Sequence, residues 1–220
     1  GGFNTIQGGD GEDRIVAVGG DNIVDAGEGD DLVISLGGVN VMEGGAGDDR
    51  MIAAGLVSTQ SGGAGDDVMI AVSAGNFQNG GAGDDMIFAL GGANIQTGGS
   101  GDDIMVGVGV GNAQDGGAGD DKLFAVGNYN VQNGDDGDDL MVALGQYNLQ
   151  IGGAGDDAMF GLATLNVQHG GAGDDVMVGL GSLNVQIGDD GDDLGFAVGS
   201  TNLQLGGAGR DVLVGLGNTN

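Results

Sequence analysis

Aspartate recurs along this chain at a fixed interval of 18 residues. Asp13, Asp31, Asp49, Asp67, Asp85, Asp103, Asp121, Asp139, Asp157, Asp175, Asp193 and Asp211 form one unbroken series. A second series runs one residue ahead of it: Glu12, then Asp30, Asp48, Asp66, Asp84, Asp102, Asp120, Asp138, Asp156, Asp174 and Asp192, closed by Arg210. Paired carboxylates can serve as acid and base, but that chemistry needs one pair in one site. Here the pair is copied in every repeat, and the chain offers one His, no Cys and no Ser–His–Asp arrangement. A column of carboxylates supplies hard anionic oxygen instead. Left bare it would repel itself. A divalent cation with many oxygen ligands relieves that repulsion, and a carboxylate-plus-carbonyl set suits Ca²⁺ better than Mg²⁺ or Zn²⁺.

The same interval defines the elements that must hold these oxygens. Numbered from Gly8, the chain divides into twelve units of 18 columns, starting at residues 8, 26, 44, 62, 80, 98, 116, 134, 152, 170, 188 and 206 without insertion or deletion. The acidic pair occupies columns 5 and 6. Column 4 is always Gly, column 1 is Gly except Ala26, and column 2 is Gly except Asp135 and Asp189. Glycine reaches φ > 0 and allows backbone to approach a ligand closely. A repeat of this length predicts a solenoid in which each turn buries its apolar side on its neighbours. With turns stacked about 4.8 Å apart, twelve make one continuous domain over residues 1–220, a rod roughly 55 Å long. Two acidic residues per turn then place at least four carboxylates around each inter-turn gap. One divalent ion per gap supplies about 22 positive charges against the acid.

Composition agrees and excludes other classes. Of 220 residues, 55 are Gly and none is Pro or Cys. Collagen needs Pro and a three-residue period. A disordered linker does not carry 40% hydrophobic residues. So much Gly disfavours helices, at about 1 kcal/mol per helical position. The net charge of −29 excludes nucleic acid as a partner, since phosphate needs Lys and Arg, and disfavours an anionic membrane surface. No apolar run is long enough to span a membrane. No signal peptide is visible at the start of the sequence.

After the acidic pair each unit reads as a strand. Column 8 is large and apolar except Gly195, column 9 is Val, Ile or Phe, and column 11 is Val or Leu except Ala54. Column 7 accepts Arg14, Arg50 and Lys122 and is expected to face water. Successive strand residues point to opposite faces, so columns 8 and 9 cannot both be internal. Either register leaves one apolar strip outside, an expected face for self-association or for packing against another chain. In column 9, Phe88, Phe124, Phe160 and Phe196 alternate with Val106, Val142, Val178 and Val214. A second strand carries Val, Ile or Leu at column 16 and Gln from Gln60 to Gln204 at column 17, predicting an amide ladder. His169, in variable column 18, is expected at the surface, and the pairs Asp135/Asp136 and Asp189/Asp190 on the acidic loops are expected to be solvated.

The segment GGAGDDVMI at Gly62–Ile70 resembles the RTX (haemolysin-type) nonapeptide G-G-x-G-x-D-x-U-x, where U is a large apolar residue. The resemblance recurs in every unit. It implies a right-handed parallel β-roll with Ca²⁺ between successive loops, and it makes the column-6 Asp residues the ligand carboxylates. It places column 8 inside. Loop carbonyls would complete the shell, including those of Gly45 and Gly47, Gly63 and Gly65, Gly81 and Gly83, Gly99 and Gly101, Gly117 and Gly119, Gly153 and Gly155, and Gly171 and Gly173. The chain departs from the family pattern in the second half of each unit. There the column-6 equivalent, column 15, is Asn, as in Asn76, Asn94, Asn130 and Asn202, with Ser58 the exception. The expectation is calcium on one edge and a metal-free Asn ladder on the other.

The functional expectation is a non-enzymatic, calcium-dependent structural or adhesive segment of a longer secreted or cell-surface bacterial protein. It would stay unfolded where calcium is scarce and fold outside the cell. The resemblance implies type I export. It also admits a calcium-binding accessory domain of a secreted enzyme or toxin, or a rod that assembles into filaments or a surface layer.

Overall fold

The computed structural model describes residues 2–220, and among these there are eighteen strands and no helix. The chain forms two compact units, Gly1–Gly109 and Val110–Asn220. Each is a β-solenoid with one turn per 18-residue repeat, and the two together hold about twelve turns.

Each turn contributes two strand segments. The first covers columns 7–11, as in Arg14–Val18 or Leu140–Leu144, and the second begins at column 14 and enters the next loop, as in Val39–Ala46 or Tyr147–Ala154. In Val68–Ala82 and Ala158–Ala172 the strand runs through the corner at columns 12 and 13 without a break. All pairing is parallel and joins residues 18 apart. In the first unit Met69 lies opposite Ile87, Asn76 opposite Asn94 and Gln78 opposite Gln96. In the second, Met159 lies opposite Met177 and Asn166 opposite Asn184. Identical columns therefore stack, and a side chain that suits one turn suits the next.

Alternation settles the register. Column 8 is internal: Met51, Met69, Ile87 and Met141 are fully buried. Column 9 is external but half-buried, because its residues, Ile70 and Phe160 among them, stand between the side chains of columns 7 and 11. The opposite sheet fills the interior with amides. Gln150 donates from Nε2 to Gln132 Oε1 at 3.0 Å, to Met141 O at 3.0 Å and to Phe160 O at 3.3 Å. The predicted Gln ladder is thus also a strut between the two sheets, and its buried polar atoms are satisfied. Each buried Met adds roughly 1.5–3 kcal/mol of apolar burial.

The sequence predicts one apolar strip, and the structure shows two apolar outer faces. Columns 7, 9 and 11 form the first, with Met86, Leu90 and Leu162 exposed. Columns 14, 16 and 18 form the second, with Phe77, Ile95, Tyr129 and Leu203 exposed. Because Asn and Gln at columns 15 and 17 occupy the interior, column 16 must point out. On this face Tyr129 and Tyr147 stack with ring centroids 5.2 Å apart.

Candidate metal centre

Columns 1–6 form the loop that joins the two faces. Its glycines serve two different needs. Columns 2 and 4 sit at positive φ, for example Gly63 at 123° and Gly65 at 124°. Column 1 does not. There a Cβ at Gly62 would collide with Asp67 Oδ2 and come within 2.6 Å of Gly80 O on the next turn. Asp135 and Asp189 replace Gly at column 2 and keep positive φ, at 78° and 81°. Asp tolerates that region because its short side chain bonds locally. Asn133 Nδ2 donates to Asp135 Oδ1 at 2.7 Å, and His169 Nε2 lies 2.6 Å from Asp189 Oδ2. His169 is at the surface, as expected, and is held by this contact.

The two acidic columns diverge. Column-6 Asp residues are buried: Asp31, Asp49, Asp67, Asp85, Asp103, Asp121, Asp139, Asp157, Asp175 and Asp193 are all 2% exposed or less. Column-5 Asp residues from Asp30 to Asp174 are exposed. Their hydrogen bonds also run in opposite directions along the stack. Asp48 Oδ1 accepts the backbone N–H of Asp66 on the following turn at 2.9 Å. Asp67 Oδ1 accepts the N–H of Asp49 on the preceding turn at 2.8 Å. One gap is thus bridged by two carboxylates, one from each side of the backbone. Of the four carboxylates that flank a gap, two bridge it, and each Asp of a pair places its Oδ1 in a different gap.

The second oxygen of the buried column is left over. Oδ2 of Asp31, Asp49, Asp67, Asp85, Asp139, Asp157, Asp175 and Asp193 is buried without a hydrogen-bond partner. Each such oxygen at Asp49, Asp67, Asp85, Asp139, Asp157, Asp175 and Asp193 shares the space above a column-1 Gly with a carbonyl of the next turn. For Asp49 this is Gly62 O, and for Asp157 it is Gly170 O. The electrostatics register the strain of that arrangement. Burial raises the Asp67, Asp139 and Asp175 carboxyls from 3.8 to about 7 and those of Asp49, Asp85 and Asp157 to about 6. The backbone N–H that each accepts opposes the rise, and neighbouring carboxylates add to it. Asp193 is raised by the same burial. Asp192 is lowered instead, because Arg210 donates to its Oδ2 from Nε at 3.0 Å and from Nη2 at 2.5 Å.

A buried anionic oxygen without a donor, beside a carbonyl oxygen, fits a hard cation. Among the described residues no three His, Cys, Asp or Glu side chains converge on one point, so a cation in these loops must draw on backbone carbonyls. The sequence reading pointed to the carbonyls of columns 2 and 4. The oxygen that faces the orphaned carboxylate belongs to column 1, and the signal for it was a Gly column that no positive φ requires.

The fold is a β-solenoid, and its loop edge repeats a buried carboxylate oxygen beside a backbone carbonyl. Residues 1–33, 16–51 and 79–108 match the family model described as RTX calcium-binding nonapeptide repeat (4 copies). Those residues carry RTX repeats, which implies a calcium-binding structural repeat. No curated protein and no solved structure matches it.

The opposite corner carries the ladder expected of Asn. Asn76 Nδ2 donates to Asn94 Oδ1 at 2.8 Å and Asn130 Nδ2 to Asn148 Oδ1 at 2.9 Å. Where Ser58 interrupts the column, Ser73 replaces the usual Gly at column 12 and the two hydroxyls meet at 2.5 Å.

Proposed function

We propose that this chain is a non-enzymatic calcium-binding segment of a secreted or cell-surface bacterial protein. It folds as Ca²⁺ binds outside the cell and associates with other chains through its apolar faces. The observation that carries this reading is the stack of buried Asp Oδ2 atoms, each beside a column-1 carbonyl. The column-6 Asp residues and the column-1 carbonyls are the proposed ligands, with about one Ca²⁺ per gap: two carboxylates bridge each gap, and one divalent ion balances them. Bound Ca²⁺ would neutralise the charge that otherwise opens the stack. Because Ca²⁺ binds the folded loops and not the coil, its binding free energy adds to folding. The role of this chain's own residues is to hold those oxygens in register and keep water from the buried column. Export in the unfolded state follows from the same linkage where calcium is scarce, and the resemblance to the family implies a type I route.

Circular dichroism during a Ca²⁺ titration tests the reading. The expected result is coil in EGTA, β structure in calcium, and reversal on chelation. Full β structure in EGTA at neutral pH would refute it.

A further inference from the structure

The two outer faces differ in charge. Of the four Lys and Arg residues, Arg14, Arg50 and Lys122 are exposed at column 7 of the first face, and columns 7, 9 and 11 contain no Asp or Glu. The second face carries Asp21, Asp25, Glu43 and Asp115 in columns 14 and 18, and contains no Lys or Arg. Apart from these charges, columns 7, 9, 11 and 16 are largely apolar ladders, column 14 is mixed, and column 18 is mostly polar until Ile187 and Leu205.

The charged columns lie back to back. Column 18 enters the loop and column 7 leaves it, so Glu43 precedes Arg50, and Asp115 precedes Lys122, by seven residues. Internal hydrogen bonds fix the remaining columns. Gln96 Nε2, at column 17, reaches Ile87 O and Val106 O at columns 8 and 9. Asn148 Nδ2, at column 15, reaches Ala143 O at column 10. Column 16 therefore backs column 9, and column 14 backs column 11. A second copy moved sideways without rotation sets its column 18 over column 7 of the first, its column 16 over column 9 and its column 14 over column 11. In the first unit this brings Glu43 to Arg50 and sets Asp25 level with Leu32, between Arg14 and Arg50. In the second unit it brings Asp115 to Lys122, and where charges end it sets Ile187 over Leu194 and Leu205 over Val212.

We infer that copies of this chain stack laterally in one orientation, the column 7, 9 and 11 face of each on the column 14, 16 and 18 face of the next. The occupant of each face is a second copy, because Glu43 and Asp115 meet Arg50 and Lys122 and the two faces share one repeat. Such a contact is head-to-tail and does not close, so it builds open layers. The inference deepens the proposed association and rests on calcium, which must neutralise the loops before chains of charge −29 can approach.

Sedimentation velocity of the whole chain tests this with two double variants. Arg50→Glu/Lys122→Glu sets acid against acid at both pairs, and Glu43→Lys/Asp115→Lys sets base against base. Each variant alone should associate at least about tenfold more weakly than the parent. Mixed in equal amounts they should co-assemble, since both pairs then again join an acid to a base. Circular dichroism in calcium and in EGTA accompanies every sample, and sedimentation is run in whichever condition holds β structure, which separates failure of the calcium reading from failure of the contact. A folded parent that stays monomeric overturns the inference. So do single variants that associate like the parent, or a folded mixture that does not associate.

Discussion

Column 6 and column 15 lie nine residues apart in the repeat and do the same job, closing the turn from inside at opposite edges. At column 15 an amide both gives and takes. Asn166 accepts from Asn148, and its Nδ2 donates to Asn184 Oδ1 at 2.8 Å and to Leu180 O at 3.1 Å. At column 6 a carboxylate can only accept. Asp157 Oδ1 takes the N–H of Asp139 at 2.9 Å, and its Oδ2 is left buried without a donor. One edge is satisfied within the chain except at Asn76 Oδ1, beside the Ser58 interruption, and the other leaves a buried carboxylate oxygen over in turn after turn. A single atom type, nitrogen against oxygen, separates a ladder that can donate to itself from one that can only accept.

Exchanging the residues should break this comparison most severely. Asn166→Asp places an unpaired charge where exposure is 0% and removes the donor to Asn184 and Leu180. We expect a loss of about 3 kcal/mol or more in urea unfolding at saturating calcium, as for other uncompensated buried charges. The reverse change, Asp67→Asn, should cost one bound Ca²⁺ and stabilise the chain in EGTA.

Protons should sharpen the contrast next. Burial lifts the column-6 carboxyls from 3.8 to about 6 at Asp49, Asp85 and Asp157 and to about 7 at Asp67, Asp139 and Asp175. A raised folded-state value means that the folded chain holds more protons than the unfolded one. The stabilisation is therefore complete below about pH 4 and is lost as pH rises through 6 to 7. In EGTA the urea midpoint should increase as pH falls from about 8 to about 5. In calcium the trend should reverse, because protons compete with the ion. The Asn edge has nothing to titrate. A midpoint in EGTA independent of pH would sink this account of the loop edge.

Much of this was legible because the repeat makes each column its own alignment. The period, the parallel stack, the Asn and Gln ladders and the acid-bearing edge all follow from residues recurring every 18 positions. What the columns do not carry is direction. Asp66 and Asp67 are both Asp, and only their opposite faces on the backbone send one outward to the next turn and the other inward to the preceding one. Periodicity also hid the second apolar face, since buried Gln at column 17 runs against the usual preference for apolar cores. The pairing of Ser58 with Ser73 left a faint trace, two exceptions in different columns that meet in adjacent turns.

The smallest effects concern glycine, and they divide along the same line. Gly62, at column 1, belongs to the loop edge: an added Cβ would meet Asp67 Oδ2 and Gly80 O. Backbone carbonyl cannot yield as a flexible side chain would, so Gly62→Ala should cost about 1–3 kcal/mol and weaken calcium binding in its own gap. Gly75 stands at column 14, beside the Asn ladder. It has no positive φ, and an added Cβ would meet nothing within 4 Å. Gly75→Ala should therefore shift stability by less than about 1 kcal/mol, upward, by narrowing the unfolded ensemble. Urea midpoints at saturating calcium measure both. Equal losses at the two positions would mean that Gly is required throughout for backbone freedom. Unequal losses would place the requirement at column 1, where the carboxylate and the carbonyl converge.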